Sequence, residues 1–252
     1  MRLLIILNIS LLLLSQGVLS QKRERFPSYF GFQFKPLIPG DFIAKSQITV
    51  REGNFSGIFS QKYGYSFGAM TRVGLTKLIS IETGINQVKR NFTVDFNHAD
   101  SSLTGNVNLG VVSYDIPLNA MIYIQLSEKI FTNASIGSSL VYYPSNVGTL
   151  TEVANKIVFS AEGRRLFRFA AEINANFGFE LRTKKDGFFY LGASAKVPLA
   201  PIYKVAATYQ FASEEIVVAT GMVNGAYLSL DFRYFLPYSK SKEKEKIVPI
   251  IQ

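Results

Sequence analysis

Two groups of side chains in this sequence could do chemistry. The first surrounds His98, the one histidine of the chain, which is followed by Asp100, Ser101 and Ser102. A base, a carboxylate and a hydroxyl are the parts of an activated nucleophile, and together would make a lipid- or peptide-cleaving hydrolase. Such a site needs its base held on a rigid wall within hydrogen-bond reach of the nucleophile. His98 falls in a polar connection instead, so a solvated histidine is the better reading and no catalytic residue is assigned. The second group is Arg72, Glu82, Arg168, Glu172, Glu180, Arg182, Asp231 and Arg233. Each lies in a run whose alternate residues are apolar, which puts these charges on one face with Gly, Ser and Asn. Facing one another they could form an ion or proton path, or a buried network that neutralises itself, and the second reading is preferred. With no cysteine there is neither a disulfide nor a thiolate metal site, and no metal or cofactor is expected.

The elements that must position these charges are β-strands. In residues 167–181, FRFAAEINANFGFEL, every odd position is apolar while the even positions are Arg, Ala, Glu, Asn, Asn, Gly and Glu. Period two over that length is a strand with two unlike faces, long enough to cross a bilayer at a tilt. The pattern recurs in residues 30–35, 63–74, 79–86, 112–125, 130–140, 189–197 and 227–234, which makes eight predicted strands. Pro117 lies inside the fourth and predicts a bulge or irregular pairing there. Connections near 75–77, 127–129 and 183–187 are short, whereas 38–61, 92–109, 144–165 and 199–223 are long and polar or glycine-containing. Alternation of short turns with long loops is the habit of an up-and-down barrel in an outer membrane.

Composition decides which face points inward. A soluble surface would carry many Lys and Glu and few glycines; small residues mixed with charges of both signs suit a narrow lumen packed with side chains. The other face is rich in Phe, Ile and Leu. Aromatics gather at strand ends, as interfacial girdles do: Phe30, Tyr63, Tyr65, Phe188, Phe189, Tyr234 and Phe235.

The bulk numbers agree with one exported domain. The chain has 252 residues, 48% hydrophobic and 18% charged. Met1-Arg2, an apolar stretch over 3–14 and Val18-Leu19-Ser20 make residues 1–20 a signal peptide, and no later apolar run is long enough for a transmembrane helix. The net charge of +9 is scattered, and export argues against nucleic acid, so anionic lipid or lipopolysaccharide headgroups are the expected counterions. Residues 238–252, containing KSKEKEK, are expected to be a charged periplasmic tail after a barrel over 21–237.

Several motifs resemble the small outer-membrane barrels of Bacteroidetes, the PorT-like or "outer membrane protein β-barrel domain" group, within the OmpA and OmpX type. They are YGYSFG at 63–68, IETGIN at 81–86, YDIPL at 114–118, NASIG at 133–137 and LDFRYF at 230–235, and the likeness spans nearly the whole mature chain. The resemblance implies an eight-stranded antiparallel barrel in the outer membrane. It also implies a last strand ending at an aromatic residue, here Phe235, that is read by the barrel-assembly machinery.

The expectation is therefore an all-β, eight-stranded up-and-down transmembrane β-barrel with both termini periplasmic and a filled lumen, a structural or interaction protein and not an enzyme. Its candidate partner-binding loops carry Phe42, Ile43, Phe55, Phe59, Tyr203, Tyr209 and Phe211. The alternatives are a narrow channel for small solutes and a lipid-modifying hydrolase.

Overall fold

The computed structural model describes residues 28–41, 45–76, 78–99, 103–153, 157–183, 187–211 and 216–237. The expected signal peptide and tail lie outside them, as do Phe42, Ile43, Asp100, Ser101 and Ser102. The described residues form thirteen antiparallel strands: β1 (Tyr29–Ile38), β2 (Gln47–Glu52), β3 (Phe55–Gly74), β4 (Ile79–His98), β5 (Leu103–Gln125), β6 (Ile130–Tyr142), β7 (Val147–Val153), β8 (Ile157–Arg165), β9 (Phe169–Arg182), β10 (Phe188–Pro198), β11 (Tyr203–Phe211), β12 (Val217–Val223) and β13 (Tyr227–Phe235).

The expected count of eight is corrected to thirteen. The four stretches assigned to long loops contain β2, β7, β8, β11 and β12 together with the far ends of β3, β4 and β5. Their residues also alternate, but with apolar side chains inward and polar ones outward. The remaining strands pair in the order β1-β13-β10-β9-β6-β5-β4-β3, and β3 pairs back onto β1, so the hydrogen bonding runs round a ring. Short turns join it at one end, here called the lower: Leu75 N donates to Ile79 O at 2.9 Å, and Leu126 N to Ile130 O at 2.9 Å. In the third turn Thr183 N donates to Gly187 O at 3.0 Å, and Gly187 takes a φ of 76° that only glycine adopts cheaply.

Above the ring, β7, β8, β11 and β12 form a second sheet in the order β12-β11-β8-β7. Its edge strands lie against the first sheet, β12 beside β2 and β7 beside β5. The enclosed space is a core of Val50, Phe55, Phe59, Phe92, Val94, Phe96, Val107, Leu109, Phe159, Tyr203, Val205 and neighbours.

One irregularity makes the two levels compatible. Between Lys62 and Tyr65 the β3–β4 register steps three residues on β3 against two on β4, a bulge that reverses which parity of β3 faces inward. Gly64 sits in that bulge, where a Cβ would come within 2.2 Å of the Lys89 carbonyl oxygen. Above it Phe55, Gly57, Phe59 and Gln61 are buried, and below it Ser66, Met70 and Arg72. The irregularity expected at Pro117 is milder. Its pairing with Ser139 of β6 is regular, and on the β4 side the register is the same at Leu118 and Asp115, with the intervening pairs unmade.

Candidate functional site

The lower ring presents apolar side chains to its surroundings and keeps polar ones inside. On β9, Phe169, Ile173, Phe177, Phe179 and Leu181 are exposed, while Glu172, Asn174, Asn176 and Glu180 are buried. A protein in water does the opposite, so this surface is built for an apolar solvent. From Phe169 to Leu181 the strand runs about 40 Å, which at the usual barrel tilt spans about 30 Å, the thickness of a hydrocarbon core. Tyr142 packs on Phe169 at the upper edge and Phe189 on Tyr234 at the lower.

Inside, the charges meet in two clusters. In the lower one Arg72 reaches Glu82 at 2.8 Å and Glu180 at 2.5 Å, and Arg182 reaches Glu180 at 2.7 Å. Arg233 bridges Glu82 at 2.8 Å and Asp231 at 2.6 Å, and Asp231 also holds Lys35 at 2.9 Å. In the upper one Arg90 binds Glu172 at 2.6 Å and donates to Gly225 O at 3.0 Å, while Lys196 pairs with Asp115 and lies 3.8 Å from Glu172. Seven of the eight expected charges are thus brought together. Arg168 is not: near the start of the run it stands exposed above the ring, where its backbone carbonyl accepts from Tyr143 N. Lys35, Arg90, Asp115 and Lys196 were missing from the expected set. Each shares the inward parity of its strand, so the pattern that reveals the others also marks these; Arg90 lies beyond residue 86, the end of the third predicted strand.

Both ends of this polar layer are stoppered. Below, Met70, Phe188 and Phe235 pack together with Tyr29, Phe188 stacks on Phe235 at 4.3 Å, and the Arg72 guanidinium sits 4.4 Å from the Phe235 ring centre. Phe235 therefore points into the lumen, and Tyr234 is the aromatic at the outer end of the last strand. Above, the charges abut the upper aromatic core directly: the Tyr143 hydroxyl of that core donates to Glu172 at 3.2 Å, and Arg90 is followed by Phe92 on the inward face of β4. The polar cavity between the clusters measures about 30 Å³.

The candidate partner-binding residues lie mostly inside the upper layer. Phe55, Phe59 and Tyr203 are buried in its core and Tyr209 packs against it, with the His98 ring 4.9 Å from that of Tyr209. Phe211 is the last residue of β11. The Tyr203 hydroxyl donates to Ser145 O at 2.7 Å, and burial pushes its pKa up.

Neither a family model nor a curated protein matches this sequence. Among solved structures the chain is similar to the outer membrane protein OprG from Pseudomonas aeruginosa, with a TM-score of 0.51 and 10% sequence identity over 86% of this chain and 99% of that one. At that identity the likeness establishes the fold, an all-β antiparallel outer-membrane barrel type. The narrower PorT-like resemblance gains no support from these comparisons.

Proposed function

We propose that this chain is an outer-membrane barrel with a filled lumen, acting as a structural or interaction protein through its upper, extracellular layer. The observation that carries the reading is the sealed interior: a polar layer whose cavity is about 30 Å³, stoppered by aromatic clusters at both ends. An inverted lower surface and an ordinary upper one fit a ring in lipid carrying a domain in water. On this reading residues 1–20 export the chain, the short turns are periplasmic, and the LDFRYF ending engages the assembly machinery. The affinity to PorT-like proteins rests on the motifs alone.

Two contacts follow from the same orientation. Arg164 and Lys204 stand directly opposite each other on β8 and β11, with Arg168 nearby, just above exposed Leu166, Phe167 and Leu199. Cations above an apolar rim fit anionic headgroups such as those of lipopolysaccharide. A protein partner would meet the outward row of Val218 and Met222 on β12 with Ile216 just before it, since the loop aromatics face inward. The reading assigns no catalytic role to His98, whose ring is packed on Tyr209.

Purified protein in planar bilayers tests the proposal. The expected result is no steady conductance, together with a mobility shift between boiled and unboiled samples on electrophoresis. Steady conductance would replace this reading with that of a narrow channel, and absence of the shift would count against the barrel.

A further inference from the structure

The cavity between the two ion clusters is lined by side chains of both: Lys35, Glu82 and Arg233 from the lower, Asp115 and Lys196 from the upper, joined by Gln33 and Asn174. Four buried polar atoms of these lining residues have no hydrogen-bond partner among the described residues: Gln33 Oε1, Asp115 Oδ1, Asn174 Oδ1 and Arg233 Nε. These residues are 5%, 1%, 7% and 4% exposed. Their other polar atoms are engaged. Gln33 Nε2 donates to Asn86 Oδ1, Asn174 Nδ2 to Ser139 Oγ at 2.8 Å, and the Arg233 guanidinium to Glu82 and Asp231. Leaving a buried donor or acceptor unmade forfeits its hydration with nothing in return, so four around one cavity would be a heavy burden on a folded lumen.

We infer that this cavity is a built hydration site, holding ordered water that accepts from Arg233 and donates to Gln33, Asp115 and Asn174. The inference rests on the filled-lumen reading and says what completes the filling. A volume of about 30 Å³ leaves room for two waters at the 10–15 Å³ or so that each needs. Three acceptors exceed the two hydrogens of one water, so two waters share them, and a metal ion can neither donate to them nor accept from the Arg233 N–H. A cation is further opposed by charge, because Lys35, Lys196 and Arg233 outnumber Glu82 and Asp115 on the lining. The water would solvate the inner edges of both clusters and link them into one layer, lowering the desolvation cost that a dry ion network carries in a membrane.

Crystals of the purified barrel, at a resolution that shows ordered solvent, decide the matter. Density is expected within hydrogen-bond distance of Gln33 Oε1, Asp115 Oδ1 and Asn174 Oδ1, with no anomalous peak after rubidium soaking. In Gln33→Met the density beside residue 33 should vanish while that near Asn174 persists. An empty cavity, a rubidium peak, or unchanged density in the variant would each overturn the inference, and if the variant does not assemble the native density alone decides. Conductance in bilayers is a separate readout: it would defeat the filled-lumen reading whatever the density shows.

Discussion

β4 passes through two regions of this molecule without changing its pairing partners, and its two faces exchange character on the way. In the lower ring its inward residues are Ser80, Glu82, Asn86 and Arg90, and its outward ones Ile79, Ile81 and Ile85. In the upper layer the inward residues are Phe92, Val94 and Phe96, and the outward ones Asn91, Thr93 and Asp95. β5 does the same, from Asp115 and Asn119 inside with Ile116 and Leu118 outside, to Leu109 and Val107 inside with Asn108 and Asn106 outside. The parity never slips on either strand. Backbone geometry is thus indifferent to polarity, and the surrounding solvent sets which face is apolar. The level of exchange, near Lys89 and its partners Tyr65 and Val112, marks where lipid gives way to water.

The largest effect should come from the bulge, since β3 alone reverses parity at that level. Gly64→Val would drive a side chain into the Lys89 carbonyl oxygen, where even a Cβ comes within 2.2 Å, and without the bulge one-to-one pairing with β4 turns Phe55 and Phe59 out of the upper core. The lower ring should still assemble and show its heat-dependent mobility, while protease should cut the upper strands within minutes in place of sparing them. A Gly64→Val variant whose upper layer stays resistant would show that the bulge is not what matches the two regions.

Paired truncations come next in size. Glu82→Ala removes the carboxylate that Arg72 and Arg233 share, leaving them only Glu180 and Asp231, and breaking such a buried ion pair costs about 3–5 kcal/mol. Phe159→Ala removes a ring stacked at 5.0 Å on Phe96, also at a cost of about 3–5 kcal/mol, but the loss falls on the upper layer alone. Hydrogen exchange in lipid should therefore rise across β3, β4 and β13 in the first variant, and across β7, β8 and β11 in the second. The same profile in both would mean that the two regions unfold as one.

Much of this was legible in the residues, and what was not has a common cause. All eight runs of alternation correspond to strands of the ring, because Phe, Ile and Leu against Gly, Asn and charge make a loud period of two. The upper strands alternate as regularly, yet their polar faces are Ser, Thr, Asn and Lys beside short apolar runs, which also describes a loop. Phe55 and Phe59 read as aromatics in a connection, but nothing in sequence shows that a second sheet, far along the chain, supplies Phe159 and Tyr203 to cover them. Arg168 failed for the opposite reason. It keeps perfect alternation with the strand that follows but precedes its first paired residue, and alternation alone carries no information about where pairing stops.

The smallest effect is the sharpest test of the comparison, because it uses one strand and one substitution. Ile85 and Thr93 both point outward from β4, eight residues apart, the first 62% exposed in the lower ring and the second part-exposed in the upper layer. Arginine at the mid-depth of a lipid-facing barrel wall costs about 2–4 kcal/mol, whereas a surface substitution in water stays within about 0.5 kcal/mol. Ile85→Arg should lower the denaturant midpoint of the ring refolded into bilayers, and Thr93→Arg should leave it nearly unmoved. In water both sites would be equivalent exposed positions on a strand. Equal midpoints for the two variants would therefore place both residues in the same solvent and remove the membrane boundary from β4.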